Sequence, residues 1–150
     1  MKFVRVRAII VVDGKLAIMY RNVEGREFFT FPGGCKEKFE TDVDCIIREV
    51  REEFGIDVAP IKKLYDYENK GSIEHFYLCV WLTGNFGTGT GEEFKQNNIF
   101  GEYSPTFIDI KDIPFLPLMP KEIATKFYLD YKKNKFDFIN TKVIPGCLAK

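Results

Sequence analysis

The chain has few of the residues from which structural zinc sites and disulfide frameworks are built. It holds one histidine, His75, and its four cysteines, at 35, 45, 79 and 147, stand far apart with no C-x-x-C pair. That inventory argues against structural zinc. Excess charge of one sign is also missing: 22 Lys and Arg balance 22 Asp and Glu, so no overall field attracts a long polyanion and nucleic acid is a disfavoured partner. Long apolar runs are absent too. In the opening stretch MKFVRVRAIIVVDGKLAIMY, Arg5, Arg7, Asp13 and Lys15 interrupt any segment able to serve as a signal peptide or to span a bilayer. No membrane partner and a cytoplasmic location are the expectations. No repeat or low-complexity tract occurs.

What is present is an ordinary globular composition, 45% apolar and 29% charged over 150 residues, enough for one domain with a real core. Cys45 and Cys79 fall in apolar stretches and read as small buried hydrophobes. Cys35 sits in a Gly-Gly turn, where it is expected to be exposed, and no base is placed beside it to make it a nucleophile.

Residues 3–12 are β-branched and partly alternating, and Asp13-Gly14 turns them into KLAIMYR as a second strand. EFFTF (27–31) makes a third, stopped by Pro32. Val43, Ile46, Ile47, Val50 and Phe54 then recur at three- and four-residue steps, predicting an amphipathic helix over about 42–54 with a Thr41/Asp44 capping box and Gly55 as its stop. IKKLYDYEN and SIEHFYLCVWLTG flank a Lys70-Gly71 turn as strands, YSPTFIDI is another strand, and MPKEIATKFYLDYKKN a second helix. The segment 84–102 is too long and glycine-rich for a plain connection and reads as a functional loop, a candidate lid. The last dozen residues carry no pattern and read as a loose tail. Strands mixed with two helices give an α/β or α+β sandwich.

The first helix carries the unusual feature. On a wheel of about 100° per residue, Glu49, Glu52 and Glu53 share an arc of about 100° bordering the apolar face. They lie near the helix C-terminus, where the dipole disfavours carboxylates, and like charges at these spacings repel. One reading is a solvated charged face. The other is a divalent cation that offsets the repulsion, and oxygen ligands without histidine suit Mg²⁺, with Mn²⁺ as a substitute, better than Zn²⁺. Mg²⁺ held by few carboxylates keeps open positions for phosphate.

The neighbouring residues bear on this choice. From Gly34 the chain runs through five residues to Glu40, seven more to Arg48-Glu49, then Val50, Glu52-Glu53, Gly55 and Ile56. This pattern resembles the signature of the Nudix hydrolase family at all nine specified positions, a match expected by chance in such a chain on the order of one time in ten million. The preceding FPGG also resembles the family's approach to the box, whereas CKEKF lacks the Gly or Pro often found just before the box's first Glu. The resemblance implies an α/β/α sandwich with a central mixed sheet, spanning residues 1–150 as one domain. It implies Mg²⁺ held by Glu49, Glu52 and Glu53 with the backbone near Gly33 and Gly34, Arg48 orienting a box glutamate, and Glu40 supporting the site, with helix capping as the plainer role for Glu40. The implied reaction is hydrolysis of a diphosphate linkage in a small nucleotide or nucleoside diphosphate derivative. A box glutamate (Glu49 or Glu53) or a later loop acid (Glu92, Glu93 or Glu102) would serve as base. Arg21 occupies a place where relatives often bind phosphate, and Phe28, Trp81, Phe86, Phe94, Phe100 and Tyr103 are candidates for stacking on a base. His75 reads as structural. A nucleotide-binding domain without catalysis, and an enzyme acting on RNA 5′ ends, are the alternatives, and a homodimer is compatible with the sequence.

Overall fold

The computed structural model describes residues 3–89 and 101–134. In chain order the strands are β1 (Phe3–Ile9), β2 (Val11–Val12), β3 (Lys15–Val23), β4 (Arg26–Thr30), β5 (Gly33–Cys35), β6 (Ile56–Asn69), β7 (Ser72–Gly84), β8 (Glu102–Asp109) and β9 (Leu118–Met119). Helix α1 (Asp42–Phe54) follows β5, and α2 (Lys121–Lys132) follows β9. The α/β expectation holds, but among the described residues the mixed sheet is in two parts. One has the order β5-β1-β7-β6, with β1 and β7 parallel; the other runs β2-β3-β4-β9, with β8 paired to the free side of β3.

Alternation along the strands assigns each helix its own face. In β3, Leu16 and Ile18 join a core with Ile9, Phe31, Phe76, Ile123 and Phe127 beneath α2. The intervening Ala17 and Met19 join Val6, Ala8, Cys45, Ile46, Val50 and Phe54 beneath α1. A period of two thus buries both faces, as a layer between two helices requires. Tyr65 on β6 fastens α2 by donating a 2.7 Å hydrogen bond to buried Asp130.

Helix α1 begins and ends as its sequence predicts. Thr41 is the N-cap, its hydroxyl accepting from the Asp44 amide at 3.1 Å while Asp44 accepts from the Thr41 amide at 3.4 Å. Gly55 closes the helix in the left-handed region at φ 75°. Helix capping therefore belongs to Thr41, and Glu40 is left for another role.

The Gly-Gly stretch differs from its expected form. It is not a bare turn: Gly33, Gly34 and Cys35 form β5, antiparallel to Arg7, Val6 and Arg5. Gly33 has φ 141°, and an added Cβ would run into the Val6 carbonyl oxygen, so only glycine keeps this pairing. Cys35 is exposed while Cys45 and Cys79 are buried, as expected. Residues 90–100, most of the candidate lid, lie outside the described residues, as do residues 135–150, which include the expected tail of the last dozen residues. Among the described residues no helix is long and apolar enough to cross a membrane.

Candidate active site

Two box carboxylates and three arginines meet at one cavity. Glu49 and Glu53 on α1, Arg5 and Arg7 on β1, Arg21 on β3 and the β5 glycines line a hollow of about 240 Å³, with Tyr103 of β8 on its wall. Glu53 is 7% exposed. Its Oε2 accepts a 3.1 Å hydrogen bond from the Gly33 amide, which ties the end of α1 to β5. Gly34 makes room for Glu49: a Cβ there would lie 2.6 Å from its Oε1. The paired glycines are therefore needed for the close approach of two acids, beyond any need to turn the chain.

Arg48 organises the rest of the box. Its Nε donates to Glu40 Oε2 at 2.6 Å and its second terminal nitrogen to Glu40 Oε1 at 3.0 Å, a two-point fork. The same guanidinium donates to Glu49 Oε1 at 3.0 Å, to the Cys35 carbonyl at 3.2 Å, and lies 3.5 Å from Glu52. The acidic crowding inferred from the sequence is thus offset in this structure by Arg48. Glu52, with 43% of its side chain exposed, does not line the cavity.

The Glu40 carboxyl is held down to a pKa of about 2, chiefly by the hydrogen bonds from Arg48, against a smaller opposing effect of burial. Asp42, at the start of α1, is also lowered to about 2: burial pushes it upward, but hydrogen bonds from Tyr77, His75 and Lys36 prevail. His75 thus has the structural role expected of it, 2.8 Å from Asp42. Because both folded-state values lie below those of the free carboxyls, 4.5 for Glu40 and 3.8 for Asp42, these groups stabilise the fold above that range and the contribution disappears as pH falls toward 2. Arg48→Met is expected to cost about 1–3 kcal/mol at neutral pH and to flatten the Glu40 part of this acid dependence. Denaturant melts from pH 7 down to pH 2, followed by circular dichroism, measure both effects.

Each remaining candidate has a definite place. Arg21 lines the cavity, its guanidinium 3.6 Å from the centre of the Tyr103 ring and 5.5 Å from that of Phe28, with Nε donating to the Glu102 carbonyl at 3.3 Å. Glu102 therefore contributes its backbone to Arg21, and its exposed side chain does not line the cavity. Phe86 packs on Phe54 and Phe107, with ring centres 4.8 and 4.3 Å away, and the Trp81 ring centre lies 6.2 Å from that of Phe86, so both are partly buried against the core beneath α1. Glu92, Glu93, Phe94 and Phe100 lie outside the described residues. The sequence reading missed Arg5 and Arg7 as site residues. Their alternation on a strand was the available signal, and only the pairing of β1 with β5 brings that face beside the box.

Among the described residues no three carboxylate, histidine or cysteine side chains converge as a ready-made metal site. The donors nonetheless fit a hard divalent cation. They are all oxygens, and the missing Cβ of Gly34 leaves the Glu49 carboxylate directly against the backbone of β5.

A family model described as the NUDIX domain matches residues 1–128. No curated protein matches the chain. Among solved structures, a NUDIX hydrolase from Nitrosomonas europaea superposes with a TM-score of 0.69 at 19% identity, over 95% of this chain and 78% of the other. An ADP-ribose pyrophosphatase from Streptococcus suis gives 0.65 at 21% identity, over 95% and 98%. A MutT protein from Methanosarcina mazei gives 0.66 at 15%, over 90% and 96%. At such identities these structures speak for the shared fold.

Proposed function

Since this chain belongs to the Nudix hydrolase family, we propose that it is a divalent-cation-dependent pyrophosphohydrolase that cleaves the diphosphate linkage of a small nucleotide or nucleoside diphosphate derivative. The observation that carries this reading is the meeting of opposite charges in one hollow, with Glu49 and Glu53 on one wall and Arg5 and Arg21 on others. The Arg5 side chain has no hydrogen-bond or ion-pair partner among the described residues. A guanidinium so placed is suited to a phosphate oxygen. Arg21 is held between Tyr103 and the Glu102 carbonyl, which fixes its direction before a substrate arrives.

Glu49, Glu52 and Glu53 would hold Mg²⁺, or Mn²⁺ in its place, together with the backbone at Gly34. When bound, such an ion neutralises phosphate oxygens and acidifies a water molecule. The protein's own contribution is positional. Arg5 and Arg21 bind and orient the diphosphate, and Arg48 fixes the rotamer of Glu49. We assign Glu53 as the group that takes the water's proton, because its carboxylate is the most buried of the three and is aimed by the Gly33 amide. The substrate names attached to the structural neighbours, ADP-ribose in one and UDP-X in another, support a phosphoanhydride as the bond broken without choosing between nucleotides.

The test is a product-resolved screen of nucleoside triphosphates, sugar nucleotides and dinucleotides. Turnover is expected with Mg²⁺ or Mn²⁺, its loss with a chelator, and its return on adding the ion back. Turnover unaffected by chelation sinks the metal assignment, and no phosphate-containing product from any compound sinks the enzymatic one.

A further inference from the structure

We infer that Glu74, in the wall of a second cavity that shares Arg7 and Thr30 with the first, determines specificity by accepting hydrogen bonds from N–H or O–H groups on the nucleoside part of the substrate. This rests on the pyrophosphohydrolase reading for the bond broken, and on the second cavity for what is recognised. That cavity measures about 360 Å³, within the range of about 300–1,000 Å³ common for small-molecule sites. Arg7 and Thr30 line both hollows, so a molecule whose diphosphate lies against Arg5 and Glu49 has room for its organic part only a side chain away.

Donors and acceptors share this wall, with Lys121 and Glu122 beside Arg7 and Glu74. Glu74 is 8% exposed. Its Oε1 accepts from Arg7 Nε at 2.9 Å, and its Oε2 has no hydrogen-bond partner among the described residues. A buried carboxylate oxygen without a donor is costly unless a ligand supplies one. Tyr67, opposite Glu74 in the pairing of β6 with β7, also lines the cavity, and its hydroxyl has no partner among the described residues. Asn69 joins them with its Oδ1 already accepting from the Lys70 amide at 2.8 Å, which leaves its NH₂ as donor. Met119 and Pro120 supply an apolar side for a ring. Arg7 holds Glu74 in place and donates to the Gly33 carbonyl at 3.3 Å, so the same side chain braces the selective wall and the glycine strand.

Donors of this kind occur on a base edge and on ribose hydroxyls, and one panel separates the two. Triphosphates of the four common bases, each with ribose and with 2′-deoxyribose, are compared in wild type and Glu74→Gln, which retains an acceptor for Arg7 but removes the carboxylate. The expected result is a tenfold or greater collapse of a kcat/KM ratio, carried by KM. Collapse of the ratio between bases assigns Glu74 to the base edge, and collapse of the ribose-to-deoxyribose ratio assigns it to the sugar. Loss by one common factor across all compounds means that Glu74 only positions Arg7, and overturns the inference, as does an unchanged panel. Calorimetric binding of the corresponding nucleoside monophosphates reads the same ratios without turnover. Selective binding lost in Glu74→Gln, with no hydrolysis by wild type, refutes the proposed reaction and leaves this inference standing. Monophosphate binding that is absent or unselective in wild type overturns it.

Discussion

Glu53→Gln is expected to lower kcat by about a hundredfold to ten-thousandfold, the span associated with removing a positioned proton acceptor, while KM and thermal stability change little. The amide keeps the size of the carboxylate, and its oxygen still accepts from the Gly33 amide, now 3.1 Å from Oε2. The bond between α1 and β5 therefore survives while basicity and negative charge are lost. An effect confined to kcat is the signature of a group that acts in the transition state more than in substrate binding. Steady-state kinetics on the best compound of the screen, beside a thermal melt of both proteins, decide the matter. Equal turnover by the two proteins removes Glu53 from the chemistry.

Gly33→Ala should have the largest effect on the fold around the site. The position combines φ 141° with a Cβ that would overlap the Val6 carbonyl oxygen and stand 2.9 Å from the Arg7 Cα. Backbone, unlike the tip of a flexible side chain, does not swing aside. A strained backbone costs about 1–3 kcal/mol, and the forced separation of β5 from β1 adds to this, so a loss of about 3 kcal/mol or more is expected in urea unfolding. Activity should fall further than stability, because the Gly33 amide aims Glu53 and the Gly33 carbonyl accepts from Arg7. Gly25→Ala is the control: φ is also positive, at 84°, but nothing lies within 4 Å of the added Cβ and Gly25 lines neither cavity. A Gly33→Ala protein with wild-type stability and turnover would show that the β5 pairing is dispensable.

The helix bearing the box was legible because its signals are local. A Thr41 cap, apolar residues at helical spacing and a left-handed Gly55 all act within a few residues of one another, and they agree with the observed span Asp42–Phe54. The longer strands were legible for the same reason, whereas β5, expected as a turn, and the two-residue β9 were not. The role of Arg48 was less so. The resemblance implies its pairing with a box glutamate, but its guanidinium also reaches Glu40 across eight sequence positions and the Cys35 carbonyl across thirteen, contacts that no short spacing announces. Likewise the sequence gathered Glu49, Glu52 and Glu53 on one arc, and the structure turns Glu49 and Glu53 into the cavity while Glu52 remains at its exposed side.

The sequence by itself determined the family, the box and the limits of the helix that carries it, since each depends on residue type and short spacing along the chain. Tertiary structure decided what faces that box. Arg5, Arg7 and Arg21 come to it only because β1 pairs with β5 and β3 with β8, and Glu74 meets Arg7 from 67 positions away. Strand pairing joins segments by backbone hydrogen bonds that most side chains permit, so the identity of a strand's neighbour, and hence the cavity between them, is fixed by the packing of the whole chain.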